Sequence, residues 1–489
     1  MPRTERSSKT GPKLDVSYGS VHSENVSPTG VRYGTRMTRI FGESGYLQSI
    51  LDAESAASTA ISELYPGKVP PSAARSIRKA ASVRRVKPDE VHRIEARETH
   101  HETAAIIKEL SKQAGKSGAY VHYSLTSADV IETAKAVQMR KGLAILLETT
   151  ESLRDSCLAV SVEWKAIAAI ARTHGQHAIP VSFGMPFAFF GFCLNKSVER
   201  LRYDLENCTE GKLSGAVGSY DVSSDEGMDG FEIERRALGK LGIRPSAVSM
   251  QTPPRENISY ILTDIAVLGG RIASIAEYIK TLRRTEILEL IEPVDRKSVS
   301  SSAMPHKNVH GNPFIEERCI SISRTLRGFA STSLESMLSE DFRDLTASLS
   351  DRISISEAFV LADYSARLLE NVIRRVKPEK DRIRSNLGST YGAVTAQRIM
   401  SRLISKGMHR SAARLLSQQL ALEALKSRTA YADLLLKNVD ISGFLSHSEI
   451  SELSDPRTYL GKSSEIIERT FSLYAGRGRG KRTILHRRG

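Results

Sequence analysis

The sequence predicts an all-α protein built around a bundle of long helices, and three observations predict it. Residues 255–291 place Ile261, Ile265, Leu268, Ile272, Ile275, Ile279 and Leu282 at alternating spacings of four and three, the apolar seam of a long packed helix. Residues 129–172 hold no proline and one glycine, Gly142, and the stretch from Phe314 to Lys377 holds no proline and one glycine, Gly328. Strand-like alternation is weak and confined to about residues 213–225. Helices this long exceed the roughly 10–14 residues usual in globular proteins, so they imply an elongated bundle.

In chain order, residues 1–27 are rich in Ser, Gly, Lys and Thr without periodicity and read as a flexible arm. A shorter helical segment follows over residues 28–125, then a long-helix body over 126–376. A final helical segment starts near Pro378 and covers residues 377–474, and a basic Arg/Gly tail occupies 475–489. Seams on several faces would expose apolar stripes on a lone chain, so an oligomer is expected.

The bulk composition fits this picture. The chain has 489 residues, 40% hydrophobic and 26% charged, which excludes wholesale disorder and collagen-like or disulfide-scaffold classes. No run approaches about 18 consecutive apolar residues and the N-terminus has no apolar core, so neither a membrane span nor a secretory signal is expected. Cys157, Cys193, Cys208 and Cys319 form no CxxC pair and read as reduced thiols of a cytoplasmic protein. The net charge is +14, and residues 476–489 supply six of the positive charges and no acid. The rest could attract an anionic substrate; nucleic acid is expected only through the tail, if at all.

Four polar clusters interrupt the helices. Glu98-Thr99-His100-His101-Glu102 reads alone as a solvated face. His122 through Asp129 includes Thr126, Ser127 and Asp129, which read either as an N-cap and first turn or as a site for a carboxylate. Arg172 through Pro180 breaks a helix of more than ten turns; His174 and His177 are three apart without a zincin glutamate, so no metal is expected. Residues 300–313 form a polar loop between long helices, a length that often marks function. No glycine-rich phosphate loop, CxxC or GxSxG is present. Histidines, a serine loop and a lysine instead supply the parts of acid–base chemistry without a cofactor.

Ser301-Ser302-Ala303-Met304-Pro305-His306-Lys307 with Asn312-Pro313 is similar to the signature S-S-x-M-P-x-K-x-N-P of the fumarase/aspartase superfamily. Thr173 through Ala178, His122 through Asp129, Lys212 through Gly218, Arg32-Tyr33, and Arg343-Asp344-Leu345-Thr346 with Ser348 and Arg352 resemble, within it, the adenylosuccinate lyase family. The resemblance covers about residues 30–470, in order. It implies a three-domain all-α fold, a homotetramer with sites shared between subunits, and β-elimination of fumarate from succinylated purine-pathway nucleotides. It implies Ser301 as base, His174 as acid, Glu317 as its orienting carboxylate, Lys307 as charge stabiliser and His101, beside Glu102, as a second histidine. Thr126, Ser127 and Gln251 would hold the succinyl end, with His122 nearby; Arg32, Tyr33, Arg343, Ser348 and Arg352 would hold the nucleotide and its phosphate. A carboxymuconate cycloisomerase-like or argininosuccinate lyase-like relative, or an impaired enzyme with a nucleic-acid-binding tail, is the alternative. Two departures stand out. Four residues separate Lys307 from Asn312 where the family has one, so either Asn308 or Asn312 makes the asparagine's contact, and Ser124 stands where the family has glycine.

Overall fold

The computed structural model describes residues 32–293, 301–308 and 310–475, and helices dominate it. The arm at 1–27 and the tail apart from Ala475 lie outside the described residues, as do Ser300 and the Asn308 side chain. Five long helices carry the centre: α1 (Ser127–Glu163), α2 (Met185–Asn207), α3 (Glu256–Leu282), α4 (Phe314–Glu335) and α5 (Ser348–Arg375). Spatial contacts divide the chain into two units, one comprising Met1–Thr150, Ser197–Ile272 and Cys319–Arg367, the other Glu151–Lys196, Ala273–Arg318 and Leu368–Gly489.

In the first unit the α3 seam does what its spacing demands: Ile261, Ile265, Leu268 and Ile272 are fully buried. Gly142 of α1 lets the stacked rings of Phe41 and Phe359, 4.8 Å apart, lie against the helix backbone. Thr149 of α1 donates to Asp363 of α5 at 2.6 Å, and Ser259 of α3 donates to the Ser333 carbonyl of α4 at 2.9 Å, so polar groups facing the core are paired. The helix Glu43–Leu64 adds two apolar clusters, one around Ile50 and Ile77, the other around Ile61 and Leu238.

In the second unit the seam continues through Ile275, Ile279 and Leu282, all buried. Phe187 and Phe190 of α2 meet Tyr278 of α3 edge-on, and Trp164 stands edge-on to Phe187 at 5.0 Å. A separate apolar cluster forms among the helices from Ala396 to Leu453, centred on Leu403, Tyr431 and Leu435. All four cysteines are free, and three are buried. By length and composition α3 could cross a bilayer; burial of its seam accounts for that composition.

Three expectations need correction. The helix expected over 129–172 ends at Glu163, and residues 168–182 form a hairpin of β1 (Ala168–Thr173) and β2 (Gln176–Ser182). The run from Phe314 to Lys377 is two helices separated at residues 336–347, where Ser339, Asp341 and Asp344 favour turns over helix. Residues 213–225 hold turns and the short helix Asp221–Asp225, not a strand; the neighbouring strand is Glu210–Gly211, paired parallel with Arg244–Pro245.

Candidate active site

The first unit gathers the residues expected to hold substrate. At the start of α1, the Asp129 carboxylate accepts the Thr126 N–H at 2.8 Å, one half of a capping box. Its other oxygen accepts the Lys212 ammonium at 2.6 Å and the Gly215 N–H at 3.2 Å. Lys212 and Asp129 are both fully buried, so this pair fastens the Lys212–Gly218 segment to the helix end that carries Thr126 and Ser127. Both earlier readings of Thr126 and Ser127 remain compatible, since the cap is made by Asp129 and leaves their half-exposed side chains available. His122 has a left-handed backbone, φ 60°, held by Glu54, which accepts the His122 N–H at 3.1 Å and lies 2.6 Å from Nδ1. Ser124 also takes a left-handed φ of 61°, the conformation that favours the glycine it replaces.

A cavity of about 370 Å³ in this unit is lined by Glu102, Arg343, Ser348 and Arg352 among the expected residues. Arg352 forms a two-pronged ion pair with Glu102, and Tyr46 donates to the same carboxylate at 3.4 Å. Burial, then the Glu102 charge, push the Tyr46 hydroxyl above its ordinary range, so it stays a donor. Arg343 donates to Gln251 Oε1 at 2.9 Å, and Gln251 donates in turn to the Ala216 carbonyl at 2.9 Å. His101 caps the helix Glu102–Ala114, its Nδ1 accepting the Ala104 N–H at 3.2 Å. Arg32 is exposed; Tyr33 is half-buried edge-on to Tyr364.

The second unit carries the other groups expected to do the chemistry, His101 lying in the first. His174 and Gly175 form the two-residue tip of the β1–β2 hairpin with φ of 53° and 75°, the left-handed pair of a type I′ turn. This tip presents the His174 imidazole to solvent. Arg172, two residues before His174 and paired with His177 in the hairpin, makes two bonds to the buried Glu289, at 3.0 and 2.6 Å, and Asn386 donates to Glu289 at 2.8 Å. Burial, then the Arg172 charge, lower the pKa of His177, which lies 3.3 Å from Ser389 Oγ. Ser301 Oγ accepts the Met304 N–H at 3.1 Å at the head of the tight turn Pro305–Asn308. Lys307 is exposed, Asn312 is half-buried before α4, and Glu317 is exposed in the first turn of α4. Among the described residues no hydrogen bond joins His174 to Glu317.

A family described as lyase matches residues 34–328, and one described as adenylosuccinate lyase C-terminus matches residues 392–470. An adenylosuccinate lyase of Methanothermobacter thermautotrophicus is 34% identical over 447 residues, 91% of this chain and 98% of that protein. One of Pyrococcus abyssi is 34% identical over 444 residues, 91% and 96% of the two chains. This chain belongs to the adenylosuccinate lyase family. Its fold is that of the wider superfamily: a 3-carboxy-cis,cis-muconate lactonizing enzyme of Pseudomonas putida aligns with a TM-score of 0.81 at 24% identity over 91% of this chain and 98% of its own. A fumarate lyase of Mesorhizobium sp. BNC1 aligns at 0.80 with 23% identity over 90% and 98%. The expected family and all-α fold are borne out.

Within this lyase-family frame the structure adds residues that the motifs did not single out for the site. Asp351 lies between Arg255, which reaches it at 2.8 and 2.5 Å, and Lys135 at 2.9 Å. Burial alone would raise its carboxyl; the two cations outweigh that and hold it below its ordinary value. These three line the same cavity and fix the start of α5, where Ser348 and Arg352 sit. Lys135 and Asp351 lie 216 residues apart, with no local signal of their pairing.

Proposed function

We propose that the chain eliminates fumarate from adenylosuccinate, giving AMP, and from succinylaminoimidazole carboxamide ribotide, giving AICAR, in purine nucleotide biosynthesis. It would act as a cytoplasmic homotetramer of three-domain subunits, divided near residues 125 and 376, with each active site drawn from several subunits. The observation that carries this reading is the near end-to-end similarity to named adenylosuccinate lyases, which runs through the lyase body and the C-terminal region alike. The exposure of His174, Lys307 and Glu317 in a single chain supports sharing between subunits, since residues completed by a neighbour are open before assembly.

In this reading Ser301, as its alkoxide, takes the proton from the carbon beside a succinyl carboxylate, and the electron pair moves into that carboxylate as an aci-dianion. Lys307 and backbone amides stabilise the added charge. The C–N bond then breaks, its electrons go to nitrogen, and His174, oriented by Glu317, delivers a proton there. His101, with Glu102 beside it, stands near the substrate phosphate or the leaving group, and Thr126, Ser127, His122, Gln251 and an asparagine, Asn312 or Asn308, hold the succinyl carboxylates. Arg343, Ser348 and Arg352, with Arg32 and Tyr33, take the nucleotide and its phosphate, for which the planar guanidinium fork suits two-pronged binding. The arrangement uses no cofactor.

The test is fumarate release from adenylosuccinate by the purified chain, with AMP formed in equal amount. His174→Ala and Ser301→Ala should each lower turnover by about 10²–10⁴-fold with the tetramer intact. Mixing His101→Ala with Ser301→Ala subunits should restore part of the activity. Absence of fumarate from both succinylated nucleotides overturns the reading.

A further inference from the structure

We propose that Arg283 is a positioning residue that brackets the stretch carrying Ser301 and Lys307, holding its entry and its exit with one side chain. Arg283 lies one residue past the end of α3, and its side chain is only 4% exposed. Its Nη1 is 3.0 Å from Glu292 Oε2, ahead of that stretch, and 2.5 Å from Glu316 Oε1, in the first turn of α4 behind it. Its Nη2 donates to the His310 carbonyl at 3.3 Å. Arg375 reinforces the entry side, donating to the Pro293 carbonyl at 3.1 Å and lying 3.5 Å from Glu292.

A guanidinium is suited to this task. Its donors spread in a plane, so one group can serve three acceptors from segments separated along the chain; a lysine ammonium is a single point charge on a flexible stem. The dependence is mutual. Glu316 is fully buried, its Oε2 has no hydrogen-bond partner among the described residues, and Arg283 is the cation paired with its Oε1. The bracket also falls where this chain departs from its family. Arg283 touches both sides of the segment that holds the longer spacing between Lys307 and Asn312, at Glu292 before it and at His310 and Glu316 after Lys307. Proton abstraction depends on placement within a fraction of an ångström, so slack at the ends should appear in turnover before it appears in binding.

This inference rests on the reaction proposed above, and its test separates the two. Arg283→Lys keeps a cation beside Glu316 but loses the fork. Arg283→Met with Glu316→Leu replaces the buried pair by apolar groups, an exchange that is often neutral or stabilising. Both variants should melt close to the wild type, lower kcat by about 10–10²-fold and leave KM within about twofold. Amide hydrogen exchange should accelerate in peptides covering 301–314 and not in those covering 256–282. If either folded variant keeps wild-type kcat and wild-type exchange over 301–314, the proposal is overturned. Should the wild type release no fumarate, the reaction assigned above fails, while exchange over 301–314 still decides the role of Arg283.

Discussion

Lys212→Met tests how the substrate-facing end of α1 is held. The substitution keeps the length of the side chain and removes its charge, leaving Asp129 buried without its cation. Breaking a buried pair from one side typically costs about 3–5 kcal/mol. Asp129 keeps two N–H donors, from Thr126 at 2.8 Å and Gly215 at 3.2 Å, which places the expected loss near the lower end, about 3 kcal/mol. That corresponds to roughly two powers of ten in the folded-to-unfolded ratio. Urea unfolding followed by far-UV circular dichroism reads it as a midpoint lowered by on the order of 1 M. Adding Asp129→Leu should recover only part of the loss, because the Thr126 and Gly215 N–H groups then lack an acceptor at about 1–3 kcal/mol each. An unfolding free energy for Lys212→Met within about 1 kcal/mol of wild type would refute the assignment of this pair as the anchor of the segment.

Other expectations follow from the same structure. Gly142→Ala would set a methyl 2.8 Å from ring atoms of both Phe41 and Phe359, and should destabilise by about 1–3 kcal/mol, partly relieved by Phe41→Leu, read from urea midpoints. Burial, then the Asp264 carboxylate, push the Asp204 carboxyl up to about 7. The folded state therefore holds a proton that the unfolded state has released, so this group's contribution is full below the ordinary carboxylate range and is lost as pH rises toward neutrality. Asp204→Asn should flatten the fall of stability between about pH 4 and about pH 7; an unchanged slope contradicts this. Arg352→Ala and Arg343→Ala should each raise KM for the phosphorylated substrate by about 10–10²-fold in steady-state assays, the worth of a charge-assisted hydrogen bond.

The legible parts of the chain were those with local periodicity. The four-and-three spacing from Ile261 to Leu282 reported both a helix and its buried face, and all seven residues are buried. The hairpin at 168–182 was hidden, because Ala168-Ala169-Ile170 continues the helix-forming composition of α1 and lacks strict alternation. Its one local signal was His174-Gly175, two adjacent residues able to take positive φ. The break at 336–347 was hidden for a similar reason, since neither proline nor glycine marks it and polar turn residues alone end the helix. The motifs picked out Arg343, Ser348, Arg352 and Glu102, which line one cavity, but not what props them. Arg172 with Glu289 and Lys135 with Asp351 pair across 117 and 216 residues, and such pairs leave no trace in a local window.

Position 174 carries two demands at once. The imidazole is wanted for its proton, and the backbone beneath it must accept a φ of 53°. Alanine answers neither demand, so a loss seen with it mixes chemistry with a reshaped turn. Asparagine tolerates that backbone, being among the residues most often found there, and cannot replace the imidazole as an acid. The asparagine variant is therefore the cleaner control, and the gap in turnover between the two substitutions measures how much the shape of the loop tip contributes by itself.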